Sequence, residues 1–73
     1  MKRTVNQTLE QTIEAWGAMV YRIALAYCGN AHDASDVFQN TFLKRYLHSG
    51  TFTDADHEKA WLIRVAINCS NDI

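Results

Sequence analysis

The chain has 73 residues, of which 48% are hydrophobic, and it contains no proline. A chain of this length forms one small domain with a limited core, and its composition is that of a folded protein rather than a disordered one. Its formal net charge is −1, which argues against a domain that holds duplex DNA by charge alone. No apolar run has the length of a membrane span or of a signal peptide's core, so we expect a cytoplasmic protein.

The cysteines and histidines suggest no redox or metal chemistry. Cys28 and Cys69 form no CxxC pair, so we expect both to be reduced and to pack as small apolar residues. We identify no i, i+4 pairing of His32, His48 or His57 with a carboxylate or cysteine, so we expect no zinc site and predict neither a metal nor a cofactor.

The first predicted helix runs from about Thr8 to Cys28. Its start fits a capping box of Thr8 with Gln11, and Gly29 is a typical left-handed stop. Gly17 in mid-helix indicates close packing against a neighbouring element. We expect residues 1–7 to be flexible. Apolar residues at alternating intervals of four and three positions predict one apolar stripe along this helix, formed by Leu9, Ile13, Trp16, Val20, Ile23 and Tyr27.

The second predicted helix runs from about Ala31 to His48, with Asn30 as its N-cap. Its predicted core face consists of Ala34, Val37, Phe38, Thr41 and Phe42. The opposite face collects Asp36, Gln39, Asn40, Leu43 and Leu47. Two leucines in a polar face are either ordinary exposed residues or anchors for a partner helix, and the spacing alone does not decide between them.

The third predicted helix begins near Asp56 and is still running at Ile73, as if the chain were a fragment. The side chains predicted to face inward are Trp61, Leu62, Val65, Ala66, Cys69 and Ile73. Arg64, Asn68 and Asn71 line the outer side, with His57 about one turn earlier. Such a row is either a solvated face or a set of donors for phosphates and base edges.

Between the second and third predicted helices lies a polar joint, Ser49 to Asp56, that contains one aromatic residue, Phe52. Such a residue either fixes the loop to the core or stacks on an unpaired base. Asp54, Asp56 and His57 are close in sequence, but no nucleophile accompanies them. They are more simply interpreted as a loop and helix cap than as a hydrolase site, and we do not expect an enzyme.

Three segments together resemble the extracytoplasmic-function (ECF) group of the sigma-70 family. Residues 33–46 read DASDVFQNTFLKRY and are similar to the family's DAxDxxQxxFxxxY segment. Residues 60–68 read AWLIRVAIN and are similar to its WLxxIAxN segment. Upstream, YRIA at 21–24 with GN at 29–30 resembles its LYRLALxxxGD stretch. The resemblance implies an all-α bundle of about three helices, sigma region 2, over residues 1–73.

The resemblance also implies two binding surfaces. One would meet the clamp coiled coil of the largest RNA polymerase subunit, through Asp36, Gln39, Asn40, Leu43, Lys44 and Leu47. The other would meet the melted minus-ten strand of promoter DNA, through Phe52, Thr53, His57, Lys59, Arg64, Asn68 and Asn71. The chain departs from many relatives at Ile67, where arginine is frequent, and at Glu58, whose charge beside DNA would repel phosphate.

The function implied is that of a transcription initiation factor domain that docks on RNA polymerase and recognises and melts the minus-ten element. The alternative is a sigma-like interaction module, an anti-sigma target or adaptor, that never contacts promoter DNA. Family members also carry a second helical domain, region 4, to which nothing in this chain corresponds, and an anti-sigma factor is a further expected partner.

Overall fold

The computed structural model describes residues 8–72, which fold into three helices, and this part of the chain contains no strand. The helices are α1 (Leu9–Cys28), α2 (Ala31–Leu47) and α3 (Ala55–Asn71), and each packs against the other two. The all-α prediction is therefore confirmed. The expectations for a flexible segment 1–7 and for an inward-facing Ile73 lie outside the described residues.

The helix ends follow the capping residues of the sequence. The Thr8 hydroxyl accepts the Gln11 N–H at 3.1 Å, and the Gln11 side chain accepts the Thr8 N–H in return, which is the predicted capping box. Gly29 ends α1 with φ of 80°, a left-handed conformation that glycine adopts without steric cost. Asn30 caps α2, whose last residue is Leu47, one residue earlier than predicted.

Two clusters of buried side chains form the core between the helices. One contains Val20, Phe42, Leu62 and Ala66, and the other contains Ala24, Ala34, Val37 and Cys69. Both cysteines are free thiols, Cys69 buried and Cys28 half-buried, as expected. None of the helices within residues 8–72 combines the length and apolar character needed to span a membrane.

The buried side of α1 differs from the predicted stripe. Gly17, Val20 and Ala24 lie at its centre, while the larger residues Leu9, Ile13, Trp16 and Ile23 are partly buried around it. Gly17 is buried against α2 as predicted, but a Cβ atom there would meet the Phe38 ring at 3.6 Å, an ordinary van der Waals distance, and Ile13 of α1 itself at 3.3 Å. The approach of α2 to α1 therefore does not require a glycine at this position. Tyr27 was wrongly placed in the stripe. Its side chain is 54% exposed, because the smaller Ala24 and Cys28 close the core in the last turn of α1.

Candidate functional site

The outer face of α2 carries large apolar side chains that the domain leaves more than half exposed. Leu43 is 54% exposed and Leu47 is 68% exposed. They belong to a set of exposed residues, here called the α2 outer face, which consists of Asp36, Gln39, Asn40, Leu43, Lys44 and Leu47. The predicted core face of the same helix is buried or half-buried, so the helix is apolar on two sides. A helix with two apolar sides suits a domain that packs on one and binds a partner on the other.

Two features beside this face were not predicted from the sequence. Tyr46 is 67% exposed and stands three residues after Leu43, so its ring widens the apolar surface. A shallow groove runs from the α2 outer face to the end of α3, and it is lined by Asn40, Leu43, Lys44, Leu47, Cys69 and Asp72. The exposed leucines therefore border a concave surface into which a partner side chain could fit.

A second exposed row lies on α3. His57, Arg64, Asn68 and Asn71 are all exposed, and their spacing of seven, four and three places them on one side of the helix. We call these four residues the α3 outer face. Ile63 and Ile67 are half-buried beside it, and with Ala60, Arg64 and Asn68 they line a shallow depression. The row thus combines one imidazole, one guanidinium and two amides with an apolar border.

Lys59 does not share this row. A helix turns about 100° per residue, so Lys59 and Arg64 point about 140° apart around α3. The Lys59 ammonium lies 5.9 Å from the centre of the Trp16 ring of α1. Of the residues expected to meet DNA, Lys59 therefore lies apart from Arg64 and Asn68, on the side of α3 that faces α1.

The joint between α2 and α3 is held by an aromatic cluster of His48, Phe52, His57 and Trp61. Phe52 is only 5% exposed. Its ring stacks on His48 with centroids 5.0 Å apart and meets the edges of His57 at 5.1 Å and Trp61 at 5.7 Å. Of the two predicted alternatives, Phe52 thus takes the role of loop anchor in this structure. To stack on a base, its ring would have to leave the core.

The polar residues of the loop surround this anchor. The Thr53 backbone N–H donates to Nδ1 of His57 at 3.1 Å, and both side chains are exposed. The Asp54 carboxylate accepts the His57 N–H at 2.9 Å and caps α3, which confirms the interpretation of this acidic cluster as a helix cap. Thr53 and His57 therefore form one exposed polar corner at the start of α3.

Glu58 is buried, contrary to the expectation that its charge would face DNA. It is 1% exposed, and its Oε2 accepts Arg45 Nε–H at 2.9 Å in the single ion pair found within residues 8–72. Its Oε1 accepts Trp16 Nε1–H at 3.2 Å. The Glu58 carboxylate can be buried because each of its oxygens accepts a hydrogen bond and the Arg45 charge compensates its own. Its partner Arg45, which was not among the predicted core or site residues, is 8% exposed.

One group of side chains at the start of α2 has potential metal ligands. His32 and Asp36 are four residues apart on the helix, and with Asp33 they bring ligand atoms within 4.8 Å of one another. The expectation that no histidine has a carboxylate at i, i+4 is therefore wrong for His32. One Asp33 oxygen already accepts the Asn30 side-chain amide at 3.1 Å, and His32 and Asp36 are exposed. An exposed arrangement of this kind is common without an ion, so it is no evidence for a metal site.

The fold and these faces define a small three-helix domain with two exposed outer faces, one on α2 and one on α3. A family model described as Sigma-70 region 2 matches residues 12–72. The chain therefore belongs to the sigma-70 region 2 family.

Two proteins of Bacillus subtilis strain 168 are similar to the chain. It is 24% identical over 72 residues to ECF RNA polymerase sigma factor SigW and 32% identical over 65 residues to ECF RNA polymerase sigma factor SigM. These alignments cover 99% and 89% of this chain but 38% and 39% of the two relatives. The chain thus spans about two fifths of their length. No solved structure matches it significantly.

Proposed function

We propose that this domain docks on bacterial RNA polymerase through the α2 outer face. The partner would be the clamp coiled coil of the largest subunit, as the family resemblance implies. The exposure of Leu43 and Leu47 is the observation that carries the proposal, because the three helices leave more than half of each residue's surface uncovered. A helical coiled coil offers the complementary surface, since its outer ridges can fill the groove between α2 and the end of α3. Asp36, Gln39, Asn40 and Lys44 around the leucines would set the register by polar contacts.

The α3 outer face would then lie beside the melted minus-ten strand. Arg64 can contact a phosphate, and Asn68 and Asn71 can each offer a donor and an acceptor to a base edge. The half-buried Ile63 and Ile67 give the row an apolar border against which a sugar or base could lie. Thr53 and His57 would meet the strand at the end of the row. The buried Phe52 ring packs against His57 and so supports this corner from the core. Lys59 would contact DNA only if the strand also passed along the side of α3 that faces α1.

With a net charge of −1, the domain is expected to bind DNA weakly by itself. The polymerase would supply most of the positive charge, and docking would bring the α3 outer face to the strand at high effective concentration. The contribution of the domain is then to hold an unstacked strand, which offsets part of the free energy needed to open the duplex.

The second candidate function is a sigma-like interaction module that binds an anti-sigma factor or adaptor without contacting promoter DNA. The acidic net charge favours it, and the exposed apolar surface of α2 suits any helical protein partner equally well. The row of Arg64, Asn68 and Asn71 has no role in this alternative.

The two candidates differ in what happens when DNA is added to the polymerase-bound domain. A labelled forked DNA with a single-stranded minus-ten segment is titrated into polymerase core with and without the 73-residue chain. We expect the chain to tighten DNA binding, and Arg64→Ala to weaken it by about tenfold. Arg22→Ala is the matched control, because Arg22 is an exposed arginine on α1. Docking without any gain in DNA affinity would favour the interaction module.

A further inference from the structure

A single buried ion pair connects all three helices to the loop between α2 and α3. Both carboxylate oxygens of Glu58 in α3 are used, one by Trp16 of α1 at 3.2 Å and the other by Arg45 of α2 at 2.9 Å. The Arg45 and Glu58 side chains are 10% and 1% exposed. The charges are therefore shielded from water and fixed in one geometry.

The guanidinium of Arg45 reaches from this pair to the loop. Its Cζ lies 4.9 Å from the centre of the Phe52 ring, within the range of a cation–π contact. The other contacts of that ring are His48, His57 and Trp61. Glu58 thus orients Arg45, Arg45 lies against Phe52, and Phe52 holds the loop that carries Thr53.

Stability alone does not explain such a pair. An ion pair taken out of water is often no more stabilising than apolar side chains of similar volume at the same positions. What a buried pair does provide is a defined arrangement, because breaking it leaves a charge uncompensated. This property suits a place where a loop has to keep one shape.

We propose that the Arg45–Glu58 pair is a positioning device for the DNA-binding corner of the domain. It fixes Phe52, and through Phe52 it holds Thr53 and His57 in the arrangement that receives the melted strand. This inference rests on the proposed DNA role of the domain. Neither Arg45 nor Glu58 contacts DNA, and neither belongs to the α2 outer face, so loss of the pair affects DNA binding and leaves polymerase docking intact.

The test replaces both charges at once, with Arg45→Met/Glu58→Leu. The double variant removes one positive and one negative charge, so the net charge stays at −1 and a change in DNA affinity cannot come from a change in net charge. Three quantities are compared with the parent chain: docking on the clamp coiled coil, affinity of the polymerase-bound chain for forked DNA, and hydrogen exchange of the Thr53 amide. We expect docking within about twofold, DNA affinity lower by about tenfold, and faster exchange at Thr53.

Two single variants keep the test informative if the double variant does not fold. Arg45→Lys retains the charge for Glu58 but removes the planar group that lies against Phe52, and we expect a smaller loss of DNA affinity, about threefold. Glu58→Gln separates positioning from repulsion by the sign of its effect. If Glu58 repelled phosphate, the variant would bind DNA more tightly, whereas the positioning role predicts weaker binding.

Unchanged DNA affinity in a folded, docked double variant would overturn the inference, as would tighter binding by Glu58→Gln. If the docked parent chain itself adds no DNA affinity, the proposed DNA function fails instead. The Thr53 exchange rate of the free chain then decides whether the pair fixes the loop, and equal rates in the parent and the double variant would refute that as well.

Discussion

The imidazole ring of His48 stacks on the phenyl ring of Phe52, with the centroids 5.0 Å apart and the planes inclined by 16°. His48 is the C-cap of α2, so this contact holds the loop residue Phe52 against the end of that helix. The Trp61 ring of α3 packs against both rings, with its centroid 4.8 Å from that of His48 and 5.7 Å from that of Phe52. Side-chain packing, rather than a ladder of backbone hydrogen bonds, therefore determines the shape of this loop.

Truncation of Phe52 should destabilise the domain, because the buried ring is replaced by a cavity among His48, Arg45 and Trp61. We expect Phe52→Ala to lower the free energy of unfolding by about 3 kcal/mol and Phe52→Leu by about half of that. Urea denaturation followed by circular dichroism measures both. A loss below about 1 kcal/mol in Phe52→Ala would show that the ring does not anchor the loop in solution.

Removal of the Thr41 hydroxyl should stabilise the domain. Thr41 is fully buried, and its Oγ1 has no hydrogen-bond partner among the described residues. We expect Thr41→Val to raise the free energy of unfolding by about 1 kcal/mol, because a buried polar group without a partner is lost and the side-chain shape is kept.

Thr12→Val is the matched control for Thr41→Val. Thr12 is also fully buried, but its hydroxyl donates to the Thr8 carbonyl at 3.2 Å. The same substitution there removes a hydrogen bond, so we expect a loss of about 0.5–1 kcal/mol in the same denaturation assay. Equal effects at the two positions would contradict the difference in hydrogen bonding.

The Asp54 carboxylate should act as a helix cap and not as a catalytic group. We expect Asp54→Ala to lower the free energy of unfolding by about 1 kcal/mol, since the His57 N–H loses its acceptor. Asp54→Asn should be nearly neutral, because asparagine caps helices about as well as aspartate. Thermal unfolding of the two variants separates these effects, and a larger loss in Asp54→Asn than in Asp54→Ala would contradict the capping role.

The helices and their ends could be predicted from the sequence because they depend on local signals. The capping box at Thr8, the left-handed Gly29 and the Asn30 cap are each determined by a few neighbouring residues. The exposed leucines of α2 followed from the helical period in the same way. These features need no knowledge of how one helix packs on another.

The buried pair was missed because its meaning depends on tertiary packing. The family resemblance led to the expectation that Glu58 lies beside DNA, and no local signal indicates burial, because an acidic residue in the first turn of a helix is ordinarily a solvated complement to the helix dipole. A signal appears only when both helices are compared. Glu58 lies four residues before the buried Leu62, and Arg45 lies four residues after the buried Thr41. Opposite charges in the core stripes of two helices indicate a buried pair, but only the fold shows that they meet.

The proposed phosphate contact of Arg64 predicts a change in salt dependence. In the polymerase-bound chain, Arg64→Ala should reduce the slope of log affinity for forked DNA against log salt by about one. Asn68→Ala should weaken binding without altering the slope, because a neutral amide releases no counterion. Titrations at several salt concentrations measure both slopes, and an unchanged slope in Arg64→Ala would exclude a phosphate contact by this residue.

Binding of the 73-residue chain to the isolated clamp coiled coil of bacterial RNA polymerase tests the central claim most directly. Leu43→Asp and Asn68→Ala are the paired variants, since both positions are exposed and lie on different outward faces. The account predicts that the parent chain binds, that Leu43→Asp weakens binding by more than about tenfold, and that Asn68→Ala stays within about twofold. A well-folded parent chain that does not bind, or equal losses in the two variants, would contradict it.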